Sequence, residues 1–222
     1  MIHFDSDIAT SYIKLPNAIM AGRDTFTIDI GMTTTDTRTN SSAWIDPTIF
    51  GVEDAGDHDI GIINHGGKIG LWGGLVVLPD NYTYLDNSLV DQSPNNQKYH
   101  QITLIADGIN FYIYLDKEKI FTGTLNKNNL IKAEVYLGTS KFNVTDQIMP
   151  CVMDLYYFKS FDKAIDINKI DSSDDQCNCI LKSELTDDFK LKDLSGHGNH
   201  GILNNNSFKI VRDSLINIVG LE

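Results

Sequence analysis

Between Tyr99 and Thr124 the chain alternates with a period of two. Phe111, Ile113 and Leu115 fall on one side of an extended backbone, and Tyr112 and Tyr114 fall on the other. That is the spacing of a strand, whose successive side chains point to opposite faces of a sheet. Similar runs lie on either side, Gln101 to Ala106 before it and Lys119 to Thr124 after it. Asp107-Gly108 separates the first pair of runs and Asp116-Lys117-Glu118 the second. A two-residue hairpin turn needs positive φ to follow the twist of its strands, and Asp-Gly supplies it. The stretch therefore predicts an antiparallel meander. Its apolar face must be covered by another layer, so the rest of the chain is read for a second sheet.

That second sheet is available. Ile2-His3-Phe4 and Tyr12 to Leu15 read as short strands. Phe26, Ile28, Ile30 and Met32 alternate with Thr27, Asp29 and Gly31, which predicts a half-buried strand. Trp44 to Gly51 reads as another strand, and Ile60–Ile63 with Lys68–Trp72 as a hairpin across Asn64-His65-Gly66-Gly67. Glu134 to Gly138, Cys151 to Phe158, Phe208 to Val211 and Leu215 to Val219 complete the set. Lys163 to Ile170 reads as one short helix, with Ala164, Ile165, Ile167 and Ile170 near helical spacing. Thr33–Ser42 and Asp80–Lys98 read as loops, the second long enough to suggest function. Glu53, Asp54, Asp57 and Asp59 form an acidic loop around Gly56, and Asp171 to Asp175 reads as a linker. The expectation is an all-β antiparallel sandwich over residues 1–170, followed by a C-terminal segment, 171–222.

Composition narrows the function classes. A hydrophobic share of 41% in 222 residues supports a real core and excludes disorder of the whole. With 18 basic against 30 acidic residues the net charge is −12, so no nucleic-acid partner is expected. Met1 to Asp5 lacks the pattern of an export signal, and the apolar run Ile69–Leu78 is glycine-broken and far short of the roughly 20 residues of a span. Neither a signal peptide nor membrane insertion is expected. Cys151, Cys177 and Cys179 are an odd set, and Cys177-Asn178-Cys179 lacks a second ligand pair for zinc. Glu53, Glu118, Glu134, Glu184 and Glu222 show no pair at the close spacing of glucanase carboxylates. Nor is there a nucleophile elbow, HExxH, P-loop or GxGxxG. The sequence predicts no enzyme.

Several segments, in order, resemble the laminin-G-like, concanavalin A-like family of jelly rolls. Ile2 to Asp5 with Tyr12 to Pro16, Phe26-Thr27-Ile28, Tyr99 to Leu104, Asp107 to Thr124 and Met153 to Ile165 are similar to its successive strands. Asp193-Leu194-Ser195-Gly196-His197-Gly198-Asn199-His200-Gly201 resembles a signature that usually opens the domain, yet here it lies near the C-terminus. The displacement suggests that 171–222 folds back on the sandwich or exchanges with a neighbouring subunit, with a truncated second domain as the third alternative.

The resemblance implies a jelly-roll β-sandwich that binds glycan or protein, with calcium as a possible cofactor at Asp193, Asn199 and Asp154. The alternative for Asp193 and Asn199 is that they hold a Gly-rich turn. Trp44, Trp72, Tyr82 and Tyr84 neighbour loops and are the candidate ligand-binding residues, since an aromatic face suits the apolar face of a sugar ring. The partners expected are a glycan or host-surface receptor and other structural subunits, with a homo-oligomer as the natural assembly. A lectin-like adhesion module of a virion or cell surface, such as a bacteriophage fibre or decoration protein, fits these features. A glucanase-like hydrolase and a purely structural subunit are the alternatives.

Overall fold

The computed structural model of the chain describes residues 1–4, 12–16, 19–52, 58–90, 97–139, 150–204, 209–212 and 215–218; at residue 204 and in the last two segments only the backbone is described. In chain order the strands are β1 (Ile2–Phe4), β2 (Tyr12–Lys14), β3 (Thr25–Thr34), β4 (Thr48–Val52), β5 (Ile60–His65), β6 (Lys68–Trp72), β7 (Val76–Val77), β8 (Tyr82–Ser88) and β9 (His100–Asp107). They continue as β10 (Asn110–Leu115), β11 (Glu118–Leu125), β12 (Tyr136–Leu137), β13 (Met153–Phe161), β14 (Cys179–Leu185), β15 (Leu191–Asp193), β16 (Ile202–Asn204), β17 (Lys209–Arg212) and β18 (Leu215–Ile218). No α-helix occurs among the described residues. None of their helices is long and apolar enough to cross a membrane.

The β9–β10–β11 meander forms as the alternation predicts. Gly108 takes φ +89°, and the second turn is made by Asp116 and Lys117 at φ +53° and +69°. Two side-chain L-residues can hold that turn because the Asp116 carboxylate accepts the Gln101 amide at 2.9 Å and lies 2.9 Å from His100 Nδ1. The larger sheet runs β18-β17-β1-β13-β3-β9-β10-β11-β7, with β14 and β15 branching from β13. Strand β13 pairs with β3 on one edge; its other edge is shared by β1 at its start and β14 near its end. The smaller sheet runs β16-β2-β12-β4-β5-β6-β8. All the strand-to-strand pairings are antiparallel. The two sheets enclose one core, where Phe50 of β4 stacks on Phe158 of β13 at 6.2 Å and 24°. This is the jelly-roll β-sandwich expected from the sequence. Strands after residue 178 join both sheets: β14 pairs β13, β16 pairs β2 and β17 pairs β1.

Four local expectations are corrected. Lys163–Ile170 is not an α-helix. Thr27 Oγ1 bonds both the Lys163 carbonyl (2.8 Å) and the Ile165 amide (2.9 Å), drawing the chain off a helical path. The backbone then winds into a pair of 3-10 turns, Ile167–Ser172 and Asp174–Gln176, the first capped by the Asp166 carboxylate on the Asn168 amide. Secondly, the 171–175 stretch is no free linker, because Asp171 and Asp174 are tied to Lys117 and Lys159 at 2.5 and 2.6 Å. Thirdly, Trp44 is in a 3-10 turn, Ala43–Ile45, and the strand begins only at Thr48, after Pro47. Fourthly, the loop read over 80–98 contains β8, an edge strand whose polar residues hid it. Residues 53–57, most of the acidic loop, lie outside the described residues.

The half-buried strand β3 is in fact covered on both faces. Phe26, Ile28, Ile30 and Met32 enter the core, while Phe161, Ile165, Ile170, Cys177 and Ile180 form a second apolar cluster over the outward side. Asp29 is consequently fully buried, accepting from Thr103 Oγ1 at 2.7 Å and Gln101 Nε2 at 3.2 Å. Burial pushes its pKa above the ordinary 3.8, against the pull of those bonds and of Tyr157. Between the unfolded and the raised folded value the native state keeps a proton that the unfolded state has lost. Stability therefore falls as pH rises through that window and levels off above it. Urea midpoints from about pH 4 to pH 7 should show this slope, flattened in Asp29→Asn; an identical slope in the variant would clear Asp29 of it.

Candidate ligand-binding surface

On β5, β6 and β8, Ile60, Ile62, Ile69 and Leu71 point into the core, so the alternate residues share the outer face of the smaller sheet. In register across that face lie Gly61, Trp72 and Tyr82, then Ile63, Gly70 and Tyr84. The glycines make room. A Cβ on Gly61 would come within 2.0 Å of Trp72 Nε1, and one on Gly70 within 3.0 Å of the Tyr84 ring. The Trp72 indole thus lies against the Gly61 backbone, beneath a cluster with Ala43 and Ile63. The turn that carries Ala43 also carries Trp44. Three of the four aromatics nominated from sequence thus share one face of one sheet, and the turn that carries the fourth packs on it through Ala43.

They do not play one role. Trp44, Tyr82 and Tyr84 are 49%, 40% and 38% exposed, but Trp72 is only 5% exposed. Trp72 is corrected from platform to floor: packing against Gly61 and Ala43 leaves it no face for a ligand, and its Nε1 has no partner among the described residues. The Tyr84 ring stacks on His65 at 4.0 Å and 20°, and Tyr82 leans on Tyr84 at 5.3 Å and 51°. Beneath them is Asp46, whose side chain is wholly buried. It lies 2.8 Å from His65 Nδ1 and accepts the Asn40 amide at 2.6 Å. Burial raises its pKa, against the Asn40 and His65 bonds. Burial and the Asp46 charge push Tyr84 up to about 12, so its hydroxyl stays protonated at neutral pH. One buried carboxylate thereby holds the imidazole on which Tyr84 stacks. Lys68 and Asp86 flank the surface as an exposed pair at 3.3 Å. Aromatic faces held in place with few rotatable bonds suit a ligand with an apolar face and hydroxyl edges. Sequence reasoning missed Asp46 and His65. The one available signal was that Asp46 follows Trp44 by two residues, just before Pro47.

The three residues nominated for calcium do not converge. Both oxygens of Asp193 are engaged by backbone amides: Ile180 and Ser195 on Oδ1, each at 2.9 Å, and Asn199 on Oδ2 at 2.9 Å. Asn199 Nδ2 donates to the Asn178 carbonyl at 2.6 Å. Burial opposes ionisation of Asp193, but the amides outweigh it and hold the pKa below the ordinary value. Asp154 sits four residues before Phe158, the β13 residue in register with Leu181, which in turn faces Asp193. Along the strand that is about 13 Å, against calcium–oxygen distances of about 2.4 Å. Among the described residues no three His, Cys, Asp or Glu side chains gather as metal ligands. The residues fit a braced Gly-rich turn, with Gly196 and Gly198 at φ +86° and +76°, and not a shared cation site.

No family model matches the chain, and no curated protein matches it by sequence. Among solved structures it is similar to a candidate carbohydrate-binding protein of Bacteroides ovatus (TM-score 0.62, 14% identity, 93% of this chain and 60% of that one). It is similar also to domain 4 of AbnA, a GH43 extracellular arabinanase from Geobacillus stearothermophilus, solved with arabinotriose (0.52, 15%, 78% and 80%). A third is the LG4-5 fragment of the mouse laminin alpha1 chain (0.55, 10%, 75% and 43%). The chain spans less than two thirds of the Bacteroides and laminin chains. At these identities the likeness is one of fold.

Two substitutions test the geometry. In a Trp44→Phe background only Trp72 emits; adding Gly61→Val should red-shift that emission and cost about 1–3 kcal/mol. Unchanged emission would mean the indole does not rest on Gly61. Asp193→Ala should cost on the order of 3 kcal/mol by orphaning three amides, and EDTA should leave the wild-type melting temperature where it is. A melting temperature that drops with EDTA and recovers with calcium would contradict the braced-turn reading.

Proposed function

We propose that this chain is a non-catalytic glycan-binding module, and that Trp44, Tyr82 and Tyr84 form its sugar platform, with His65 and Asp46 as the support. The observation that carries the reading is the His65–Tyr84 stack locked onto the buried Asp46 carboxylate. Tyrosines that served only solubility or packing would not need such a brace; a recognition surface gains affinity from rings already ordered before the ligand arrives. The fold supports the reading as well, because it is shared with a candidate carbohydrate-binding protein and with an arabinanase domain solved with arabinotriose. Lack of catalysis is inferred from the missing glutamate pair. Placement on a virion or cell surface, and assembly with other copies, rest on the sequence expectation alone.

A glycan array, with arabinotriose added as a soluble probe, identifies the ligand. Tyr82→Ala and Tyr84→Ala should each weaken binding at least tenfold, and Asp46→Asn should weaken it less while loosening the Tyr84 ring. An array without hits, or full affinity in both tyrosine variants, would overturn the reading.

A further inference from the structure

The opposite face of the molecule carries a second constellation. On the outward side of β3 the strap of residues 161–177 covers Thr27 and Asp29, but toward Thr33 the face opens, and Tyr99 and Tyr156 are 45% and 40% exposed there. Gly31 makes this possible: a Cβ on it would come within 2.3 Å of the Tyr157 ring and 2.6 Å of the Tyr99 hydroxyl. The Tyr157 ring and the Tyr99 hydroxyl share the space over Gly31, and burial and the nearby Asp29 carboxylate push the Tyr157 pKa up. Tyr99 meets Tyr156 edge-on at 5.5 Å and 79°. The ring pair is therefore seated on the half-buried Tyr157, much as Tyr84 is seated on the His65 ring that Asp46 holds on the other sheet.

Beside the rings is a cleft. Thr33 and Asp154 face each other in register across β3 and β13, and His3 faces Asp154 from β1. With Thr34, Thr35 and Gln97 they line about 20 Å³ of free volume, room for one water-sized group. His3 Nδ1 lies 2.6 Å from Asp154 Oδ1. The Thr33 hydroxyl lies 3.2 Å from Gln97 Oε1 and 3.5 Å from Asp154 Oδ2, one proton between two acceptors. Asp154 Oδ2 thus retains accepting capacity, and the Gln97 amide nitrogen has no partner among the described residues. An acceptor and a donor at the mouth of a one-hydroxyl cleft, next to two aromatic rings, match the chemistry of a sugar edge.

We infer that this face is a second glycan subsite. A neutral sugar ring lies against Tyr99 and Tyr156 and places one hydroxyl in the cleft, where it donates to Asp154 Oδ2 and accepts from Gln97 Nε2. A carboxylate-bearing sugar is disfavoured because its charge would meet Asp154. A cation is disfavoured because, among the described residues, Asp154 is the single carboxylate lining the cleft. The inference shares its ligand class with the proposed function but none of its residues. Two sites on opposite sheets would let one molecule bridge two glycan chains.

The test is an amide-resolved NMR titration of the full chain with arabinotriose, xylotriose, cellotriose and lactose at millimolar concentration, with sialyllactose as the acidic arm. Signals of Thr33, Gln97 and Asp154 should shift with at least one neutral sugar, and should still shift in the Tyr82→Ala/Tyr84→Ala double variant. Asp154→Asn or Tyr156→Ala should weaken that response at least tenfold while leaving any response on β8 intact. If Asp154→Asn fails to fold, Gln97→Ala at the exposed cleft mouth gives the same readout. No shift at these residues with any neutral sugar, loss of the shift in the double variant, or a preference for sialyllactose would each overturn the inference. Shifts here without any on β8 would uphold it and sink the platform reading instead.

Discussion

Everything in this molecule hangs on the ladder in which β3 is paired with β13 on one side and β9 on the other. From Thr27 to Asp29 β3 lies between two apolar layers: the sandwich core below, and the strap with the Phe161, Ile165 and Ile170 cluster above. A strand buried on both faces cannot slip by one residue without driving Asp29 and Thr27 into the core and Ile28 and Ile30 into the polar layer. That register then places β13. Because the free edge of β13 is divided between β1 and β14, the N-terminal strand and the C-terminal segment are both positioned by the same ladder.

The polar layer above β3 explains how so much hydrogen-bonding capacity is buried without disrupting the fold. Asp29 is matched by Thr103 and Gln101, and Thr27 by the strap's own backbone. A half-satisfied network of this kind would cost more than an apolar surface. Satisfied, it gives rigidity to whatever sits on it, and here that is Tyr99. Asp46 repeats the device on the other sheet under His65 and Tyr84. In both places glycines, Gly31 on one sheet and Gly61 and Gly70 on the other, open the space that the aromatic rings occupy. Two faces built on unrelated strands thus reach one arrangement: rings laid over glycine, above a buried acid.

Much of the fold was legible because its signals are local. Phe111, Ile113 and Leu115 alternate within one strand, and Asp107-Gly108 or Gly66-Gly67 make turns whose φ values depend on the turn residues themselves. The misreadings occurred where tertiary contacts overrode a local pattern. Ile165, Ile167 and Ile170 have a helical look, but Thr27, more than a hundred residues away, holds that backbone in another path. Tyr82 to Ser88 is polar because it is an edge, and polarity alone reads as loop. The candidate surface was half legible. Aromatics near loops could be named, but Trp72 became a floor residue and Asp46 a support, depending on which glycine and which ring lay across the sheet.

Alternation, turn chemistry and charge balance sufficed to establish, from the sequence by itself, an acidic antiparallel sandwich. These are properties of residues a few positions apart, or of no particular position at all. Only the tertiary structure decided which acids are braces, which aromatics remain open to solvent, and that Asp154 belongs with His3, not with Asp193. Those outcomes depend on cross-strand register between residues as much as 151 positions apart, and a pairing of that kind is set by how two buried faces fit together, which no window along the chain contains.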